Sequence, residues 1–359
     1  MKAASLPFAL LLLLLPAVAS AHPLSQGALD VDLRGTTLHL RATVPLEEVL
    51  LASQASNLDE AREDHGAYFL AHVGICADGQ NVDGAMTSNR EIDSDHVLYE
   101  FDYKLSETPG TLVLRQDILR EVLYAPGNPW EASFVVTYRV DGRTVREAQL
   151  LTSGAPLELV AQPQSRAELF GSYVRHGLTH ILGGYDHLLF VVALALATAS
   201  FRDLVLVIGA FTVAHSITLA LSVLGVVRLP EQIVEPMIAA SIVLVALSNV
   251  LWPQRSRGTA RLAVAFFFGL FHGLGFAGGL LDAMAGLPSA TVGLAIVAFS
   301  VGVELGHQAI VLPVFGALSA LRSSGLAEST RDAGINAIQR YGSVAISLAG
   351  FFYLLSALR

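Results

Sequence analysis

Hydrophobic and polar positions alternate in the first part of the chain and give way to long apolar runs in the second. Residues 22–168 have the polarity of an ordinary soluble domain, and several of their segments have a period of two. Residues 29–33 and 38–44 alternate around Arg34-Gly35-Thr36, as the strands of a half-buried hairpin do. This pattern predicts a pair of antiparallel strands.

Other segments of the same part are also typical of strands, because they alternate or form short apolar runs next to turn residues. They cover residues 97–103, 112–114, 134–140 and 145–151. Residues 58–73 have helical spacing instead, and residues 154–165 form a polar, proline-containing approach to the next domain. We expect residues 22–168 to form a mainly β, sandwich-like domain with a helical insertion.

Residues 169–359 predict an α-helical integral membrane domain with six transmembrane helices. Each apolar stretch is near the roughly 20 residues that a helix needs to cross a bilayer. The stretches cover residues 173–199, 203–226, 233–252, 261–282, 289–318 and 341–358, of which the fifth is long enough to tilt or break. The last three spans also fit an inverted repeat of the first three, with His176-Gly177-Leu178 and His272-Gly273-Leu274 as corresponding positions.

Residues 1–21 have the parts of a secretory signal peptide, namely Lys2, a leucine-rich run and the small residues Ala19-Ser20-Ala21. We expect cleavage after Ala21 rather than an uncleaved anchor, which makes residues 22–168 extracytoplasmic. The connections that then face the cytoplasm, with their flanks, hold Arg202, Arg255, Arg257, Arg261, Arg322, Arg331 and Arg340, whereas the opposite loops hold Arg228. The positive-inside rule therefore agrees with a multi-pass protein of a bacterial-type cytoplasmic (inner) membrane.

Composition supports this assignment and excludes other classes. The chain of 359 residues is 53% hydrophobic and 15% charged, with a mean hydropathy of +0.55, which is too apolar for an ordinary soluble protein. Its net charge of −9 argues against a nucleic-acid partner. Lys2 and Lys104 are the only lysines, so the chain has no GxxxxGK[ST] phosphate loop. Cys76 is the single cysteine and cannot close an internal disulfide.

The first predicted span carries His176, His180, Asp186 and His187. An ionisable group near the bilayer centre costs on the order of 2.5–3.5 kcal/mol, so such residues usually face a cavity, a partner or an ion. On a continuous helix the three histidines fall within about 40° of one another and form a stripe. Gly183-Gly184 lies inside this span and permits either a break or a close helix approach.

Later spans add further candidate ligands. His215 lies in the polar band Phe211-Thr212-Val213-Ala214-His215-Ser216, at about the middle depth of its helix. His272 lies at a comparable depth in the fourth span, and the fifth span holds a carboxylate and an imidazole three residues apart. The complete candidate metal set is His176, His180, Asp186, His187, His215, His272, Glu304 and His307.

Neutral imidazole suits nickel, zinc, copper and cobalt, so the mixture of imidazoles and carboxylates favours a first-row transition metal. A proton relay can use the same residues and remains an alternative. Ser248 and Asn249 are predicted to form interhelical hydrogen bonds rather than to bind metal. Glu235 is either an entrance ligand or an interfacial carboxylate.

His180, followed after five residues by Asp186-His187, together with the segments FTVAHSITL, GLFHGLGFA and VGVELGH, resembles the HupE/UreJ family of membrane proteins. The resemblance covers about residues 170–358. It implies a secondary transporter of nickel, or of cobalt, associated with hydrogenase or urease maturation. It also implies that His180, Asp186 and His187 recognise the metal, with His272 in a second family element. The metal is then the transported ion, and no prosthetic group is expected.

Our first hypothesis is therefore secondary transport of a divalent transition metal, and not an enzyme. A membrane potential near 100 mV gives roughly 4–5 kcal/mol to the inward movement of a divalent cation. The alternative is a membrane-embedded metalloprotein, or a metal-delivery or assembly factor, without net transport. A third hypothesis is a sensor whose exported domain binds a protein partner. The sequence leaves open the metal, the direction of transport, proton coupling and the oligomeric state.

A further hypothesis is that the exported domain collects metal. If cleavage follows Ala21, the α-amino group and ring of His22 can chelate a metal together. His39, His65, His72 and His96 are the additional ligands that this hypothesis offers. The alternative is a partner-binding or stabilising domain with scattered surface histidines.

Overall fold

The computed structural model describes residues 24–53, 55–125, 128–227, 229–253, 258–275 and 288–358. The predicted signal peptide and His22 lie outside these residues, so both stay predictions. The described residues form two compact units. Residues 24–173 and 288–297 make up the sheet unit, and residues 174–275 and 298–358 make up the helical unit.

The larger sheet of the sheet unit has the strand order β11-β10-β1-β2-β6-β5. Its strands are β1 Leu24–Arg34, β2 Thr37–Pro45, β5 Gly84–Glu91, β6 His96–Lys104, β10 Glu131–Val140 and β11 Arg143–Thr152. β1 pairs with β10 in parallel, and the other pairs are antiparallel. The predicted hairpin is confirmed as β1 and β2, and Gly35 at its turn has a φ of 57°, which favours glycine.

A second sheet has the order β12-β7-β3-β4. It contains β3 Val73–Ala77, β4 Gln80–Val82, β7 Thr111–Gln116 and β12 Leu157–Val160, while β8 Leu123–Ala125 and β9 Asn128–Pro129 pair separately. Two helices, α1 Leu46–Ala52 and α2 Leu58–His72, complete the unit. Leu40 and Phe101 of the larger sheet and Leu114 of the smaller one share a buried core with Phe69 of α2. The mainly β prediction with its helical insertion is therefore confirmed.

Several elements of this unit, among them α1, β3 and β4, were not predicted from the sequence, and two further segments show why. Residues 154–165 are not simply a polar approach, because β12 pairs antiparallel with β7 and buries Leu159. Only four residues form that strand, which is too short for alternation to be decisive. β5 was not predicted either, because it is an edge strand and carries the polar run Thr87-Ser88-Asn89-Arg90.

The second part of the chain is helical. Its described helices are α3 Arg166–Gly183, α4 Tyr185–Leu196, α5 Phe201–Val223, α6 Glu231–Leu251, α7 Gly258–Leu274, α8 Ser289–Arg322 and α9 Glu328–Ala357. Among them, α5, α6 and α8 are long and apolar enough to cross a membrane, and α3 with α4 counts as a fourth if the bent pair is one span. The predicted total of six spans stays a prediction. The fourth of them runs into residues 276–287, outside the described chain, and α9, which carries the sixth, is not among the helices that meet both conditions.

The first predicted span is not one continuous helix. α3 and α4 are bent by 75° at a break between them. Gly184 occupies this break, and a Cβ atom placed there would lie 2.9 Å from the carbonyl oxygen of His180, closer than real Cβ atoms come. The predicted stripe on a single helix is therefore wrong. His176 and His180 lie on α3, and His187 lies in the first turn of α4.

Two helix crossings in the helical unit depend on glycine. A Cβ atom on Gly177 of α3 would lie 2.2 Å from the carbonyl oxygen of Phe299 on α8. A Cβ atom on Gly269 of α7 would lie 2.6 Å from the carbonyl oxygen of Phe211 on α5. Side chains at either glycine would push the helices apart, so these residues let the backbones approach closely.

Candidate metal centre

Two overlapping groups of potential metal ligands lie in the helical unit. One group is His180, His187 and His215, and the other is Asp186, His187 and His272. Within each group the ligand atoms all lie within 4.8 Å of one another. His187 belongs to both groups and is only 2% exposed. The structure thus brings together five of the predicted ligands from α3, α4, α5 and α7.

The bend at Gly184 brings His180 close to Asp186 and His187, three residues that carry the family resemblance. His180 lies in the last turn of α3, and Asp186 and His187 lie in the first turn of α4. The ring centroids of His180 and His187 are 5.0 Å apart. A carboxylate in the first turn of a helix is favoured by the helix dipole, so Asp186 suits its position even when no cation is near.

His215 of α5 is fully buried beside this bend. Its ring centroid lies 5.5 Å from that of His187 and 6.4 Å from that of His180. Neither ring nitrogen of His215 has a hydrogen-bond partner within the part of the chain that the structure describes. Buried polar atoms without partners cost free energy, and a cation held between these imidazoles would remove part of that cost.

His272 of α7 approaches His187 from another direction, with 5.0 Å between ring centroids. Its Nε2 lies 3.0 Å from the Oγ of Ser241 on α6. The Ser241 hydroxyl donates its proton to the carbonyl oxygen of Ile238 at 2.6 Å, so it accepts a hydrogen bond from His272 Nε2. The His272 proton then lies on Nε2, and Nδ1, which has no hydrogen-bond partner among the described residues, offers its lone pair to a metal.

One aromatic ring lies beside several of the imidazoles. The ring centroid of Phe211 lies 5.1 Å from that of His272, 5.2 Å from that of His307 and 6.3 Å from that of His215. Phe190 also packs on His272, with 4.9 Å between ring centroids. The imidazoles therefore lie in apolar surroundings, where an ion–ligand interaction is stronger than in water.

Three predicted ligands lie outside the two groups. His307 is close, with its ring 6.0 Å from that of His187, and its Nδ1 lies 3.0 Å from the Oγ1 of Thr212. His176 packs against Phe299 at 5.5 Å. Glu304 accepts a hydrogen bond through Oε1 from Gln308, one turn along the same helix, at 2.6 Å. The sequence shows which helices carry these residues, and the packing of the helices decides which of them reach the candidate metal centre.

The histidines of the sheet unit pair with carboxylates instead. The pairs are His39–Asp102 at 2.6 Å, His72–Asp117 at 2.9 Å, His96–Asp93 at 3.0 Å and His65–Glu48 at 3.1 Å. No cluster of three or more metal ligands in the described ranges includes any of them. The described residues therefore lend no support to metal collection by these four histidines.

Sequence reasoning missed the hydroxyl that orients His272. Ser241 is one of two serines in an apolar helix, and its partner on another helix follows only from packing. Thr212 lies in the polar band around His215, which was the available signal for its contact with His307.

It also did not predict the contacts of Arg261, which is counted above among the charges flanking the cytoplasmic side. Arg261 is only 5% exposed, and it donates to Asn249 Oδ1 at 3.0 Å and to the carbonyl oxygens of Ala193 and Leu194 at 2.8 and 2.6 Å. Asn249 also donates to Ala193, at 2.8 Å, which confirms its predicted interhelical role. These bonds satisfy carbonyls at the carboxyl end of α4, whose first turn carries Asp186 and His187.

A family model described as HupE / UreJ protein matches residues 158–357 of the chain. This segment contains both ligand groups and more than half of the chain. No curated protein and no solved structure gives a match.

Proposed function

This chain belongs to the HupE/UreJ family of nickel- and cobalt-related membrane proteins, and on that premise we propose that it is a secondary transporter of a divalent transition metal. Nickel is the first choice of ion and cobalt the second. The observation that carries this proposal is the convergence of His180, His187 and His215, with ligand atoms within 4.8 Å of one another, inside apolar helices.

The donor set supports a transition metal rather than magnesium or calcium. Each group contains at least two imidazoles, and only one contains a carboxylate, from Asp186. Imidazole nitrogen suits nickel, cobalt, zinc and copper, whereas carboxylate and carbonyl oxygen suit magnesium and calcium. Among the metals that imidazole suits, family membership favours nickel or cobalt.

The remaining parts of the proposal follow from the sequence. We place the helices in the cytoplasmic membrane as six spans, with the sheet unit outside after removal of the signal peptide. The bent pair α3 and α4 then forms a broken first span, which is a common way for a transporter to expose ligands inside the membrane. The membrane potential supplies the driving force for inward movement.

Flux measurements on proteoliposomes containing the purified full-length chain test this function. Nickel, cobalt, zinc and copper are compared with and without an imposed potential, for the wild type and for His187→Ala. We expect potential-dependent flux of nickel or cobalt, and its loss in His187→Ala, because that substitution removes a member of both groups. A matched control is His72→Ala, which removes an imidazole of the sheet unit that bonds Asp117.

Bound metal without flux in the wild type would contradict transport and favour a metal-delivery or assembly role. Flux that survives in His187→Ala would contradict the proposed path. Neither binding nor flux would leave the proton relay and the partner-binding sensor as the remaining hypotheses.

A further inference from the structure

Two segments of the helical unit share a spacing and also share their contacts. Gly177-Leu178-Thr179-His180 on α3 and Gly269-Leu270-Phe271-His272 on α7 both have the order Gly-Leu-x-His. Their glycines lie against the carbonyl oxygens of Phe299 and Phe211, respectively. These two phenylalanines begin similar segments of α8 and α5, Phe-Ser-Val-Gly and Phe-Thr-Val-Ala.

The histidines that end the two segments also have equivalent surroundings. The ring of His180 lies 5.5 Å from that of Phe299, and the ring of His272 lies 5.1 Å from that of Phe211. The contacts thus make His180 equivalent to His272, whereas the repeat predicted from the sequence aligned His176 with His272. Each of the two equivalent histidines lies 5.0 Å from His187, measured between ring centroids.

We propose that the metal path has two consecutive stations that share His187 and hold one ion at a time. The imidazole station is His180, His187 and His215, and the carboxylate station is Asp186, His187 and His272. This inference rests on the proposed function, and it specifies how the same site passes its ion onward. His187 stays in both ligand sets, so the ion exchanges two ligands for two others.

The geometry explains why the stations are alternatives. Both sets draw on one imidazole, and a neutral imidazole has a single lone pair for a metal. Two divalent ions at adjacent stations would also repel each other strongly in apolar surroundings. Conduction needs binding that is favourable enough for an ion to enter and divided enough for it to leave, and two stations of different charge provide this.

Equilibrium dialysis of the purified full-length chain against Ni²⁺ tests the stations by a crossed set of variants. We expect one ion per chain in the wild type. His180→Ala and His272→Ala should each still bind one ion, with affinity lowered about two- to tenfold through loss of one of two populated states. His187→Ala should weaken binding by more than about 100-fold, because it removes a ligand from both stations.

Double variants make the assignment specific. In the His180→Ala background only the carboxylate station remains, so adding Asp186→Ala should abolish binding, while adding His215→Ala should change it little. In the His272→Ala background the outcomes should be reversed. X-ray absorption of bound Ni²⁺ should show a carboxylate oxygen in His180→Ala and a shell with imidazole as its only protein ligand in His272→Ala.

Transport should depend on both stations. We expect His180→Ala and His272→Ala each to retain bound Ni²⁺ and to lose flux in proteoliposomes. Loss of binding in either single variant, or the same response to Asp186→Ala in both backgrounds, would overturn the two stations in favour of one combined site. A wild type that neither binds nor transports metal would instead refute the proposed function itself.

Discussion

The histidines of the sheet unit and those of the helical unit differ in what their rings contact. In the sheet unit each described histidine lies within 3.1 Å of a carboxylate. In the helical unit the rings of His187, His215 and His272 lie against other imidazoles and against Phe211. A carboxylate partner satisfies one nitrogen of each of these rings without an ion, although Nδ1 of His65 has no hydrogen-bond partner among the described residues. Facing imidazoles instead leave nitrogen lone pairs that an ion would satisfy.

Structural histidines and candidate ligands therefore differ in the groups that their rings contact, rather than in residue type or burial. His65 is as fully buried as His215, with both at 0% exposure. His65 contacts Oε1 of Glu48, whose Oε2 accepts a hydrogen bond from Ser25. His215 has no hydrogen-bond partner at either ring nitrogen among the residues that are described. Two equally buried histidines therefore have different roles: His65 belongs to the core of the sheet unit, and His215 belongs to the candidate metal path of the helical unit.

The largest expected effect comes from breaking the buried pair of the sheet unit. Glu48→Ala removes the partner of both Ser25 and His65 from a site where Glu48 is 1% exposed. We expect the sheet unit to lose about 3–5 kcal/mol of unfolding free energy, since breaking a buried pair leaves polar groups uncompensated. Hydrogen exchange of α2 and β6 peptides in the full-length chain measures the loss.

Glu48→Gln is the matched variant, because it keeps hydrogen-bonding capacity and removes the charge. We expect it to cost less than Glu48→Ala and neither variant to change Ni²⁺ affinity. Unchanged hydrogen exchange in Glu48→Ala would show that the pair does not stabilise the sheet unit. This result would contradict a structural role for its buried histidine.

A smaller effect should follow from removing the hydroxyl that orients His272. In Ser241→Ala the His272 ring loses the acceptor that holds its proton on Nε2. We expect Ni²⁺ affinity to fall by up to about two- to tenfold, no more than in His272→Ala, because Ser241 acts on the ion only through His272. Equilibrium dialysis measures it, with Ser241→Thr restoring affinity because it keeps a hydroxyl.

Ser248→Ala is the control on the same helix. The Ser248 hydroxyl donates to the backbone oxygen of Val245 and belongs to neither ligand group. We expect no change in Ni²⁺ affinity in this variant. Equal affinities for Ser241→Ala and the wild type would show that His272 is not oriented through Ser241.

The sequence indicated which residues are candidate ligands, but it did not predict their contacts. Strongly periodic segments such as β1, β2 and β6 were identified because alternation reports burial directly, and His180, Asp186 and His187 were identified because charge is rare in apolar helices. The bend at Gly184 was not decided by the sequence, because paired glycines permit both a break and a close approach. The partners of Arg261 on α4 and α6 were not predicted, because these contacts exist only after the helices pack.

The smallest expected effect comes from an exposed ion pair of the sheet unit. His39 and Asp102 form an exposed pair, with side chains 41% and 40% accessible, so His39→Asn should change unfolding free energy by less than about 1 kcal/mol.

We also expect unchanged Ni²⁺ flux in His39→Asn at limiting metal concentration, because His39 bonds Asp102 and joins no cluster of ligands in the described residues. Reduced flux at limiting Ni²⁺ with normal flux at saturating Ni²⁺ would contradict this and support metal collection by the sheet unit. The same pair of concentrations applied to Ser241→Ala gives the reference, since a weakened site inside the helical unit lowers flux at limiting metal through the affinity already measured by dialysis. His39→Asn could reproduce that pattern only if His39 of the wild type collects metal in the sheet unit, because the affinity of the variant at the helical site should equal that of the wild type.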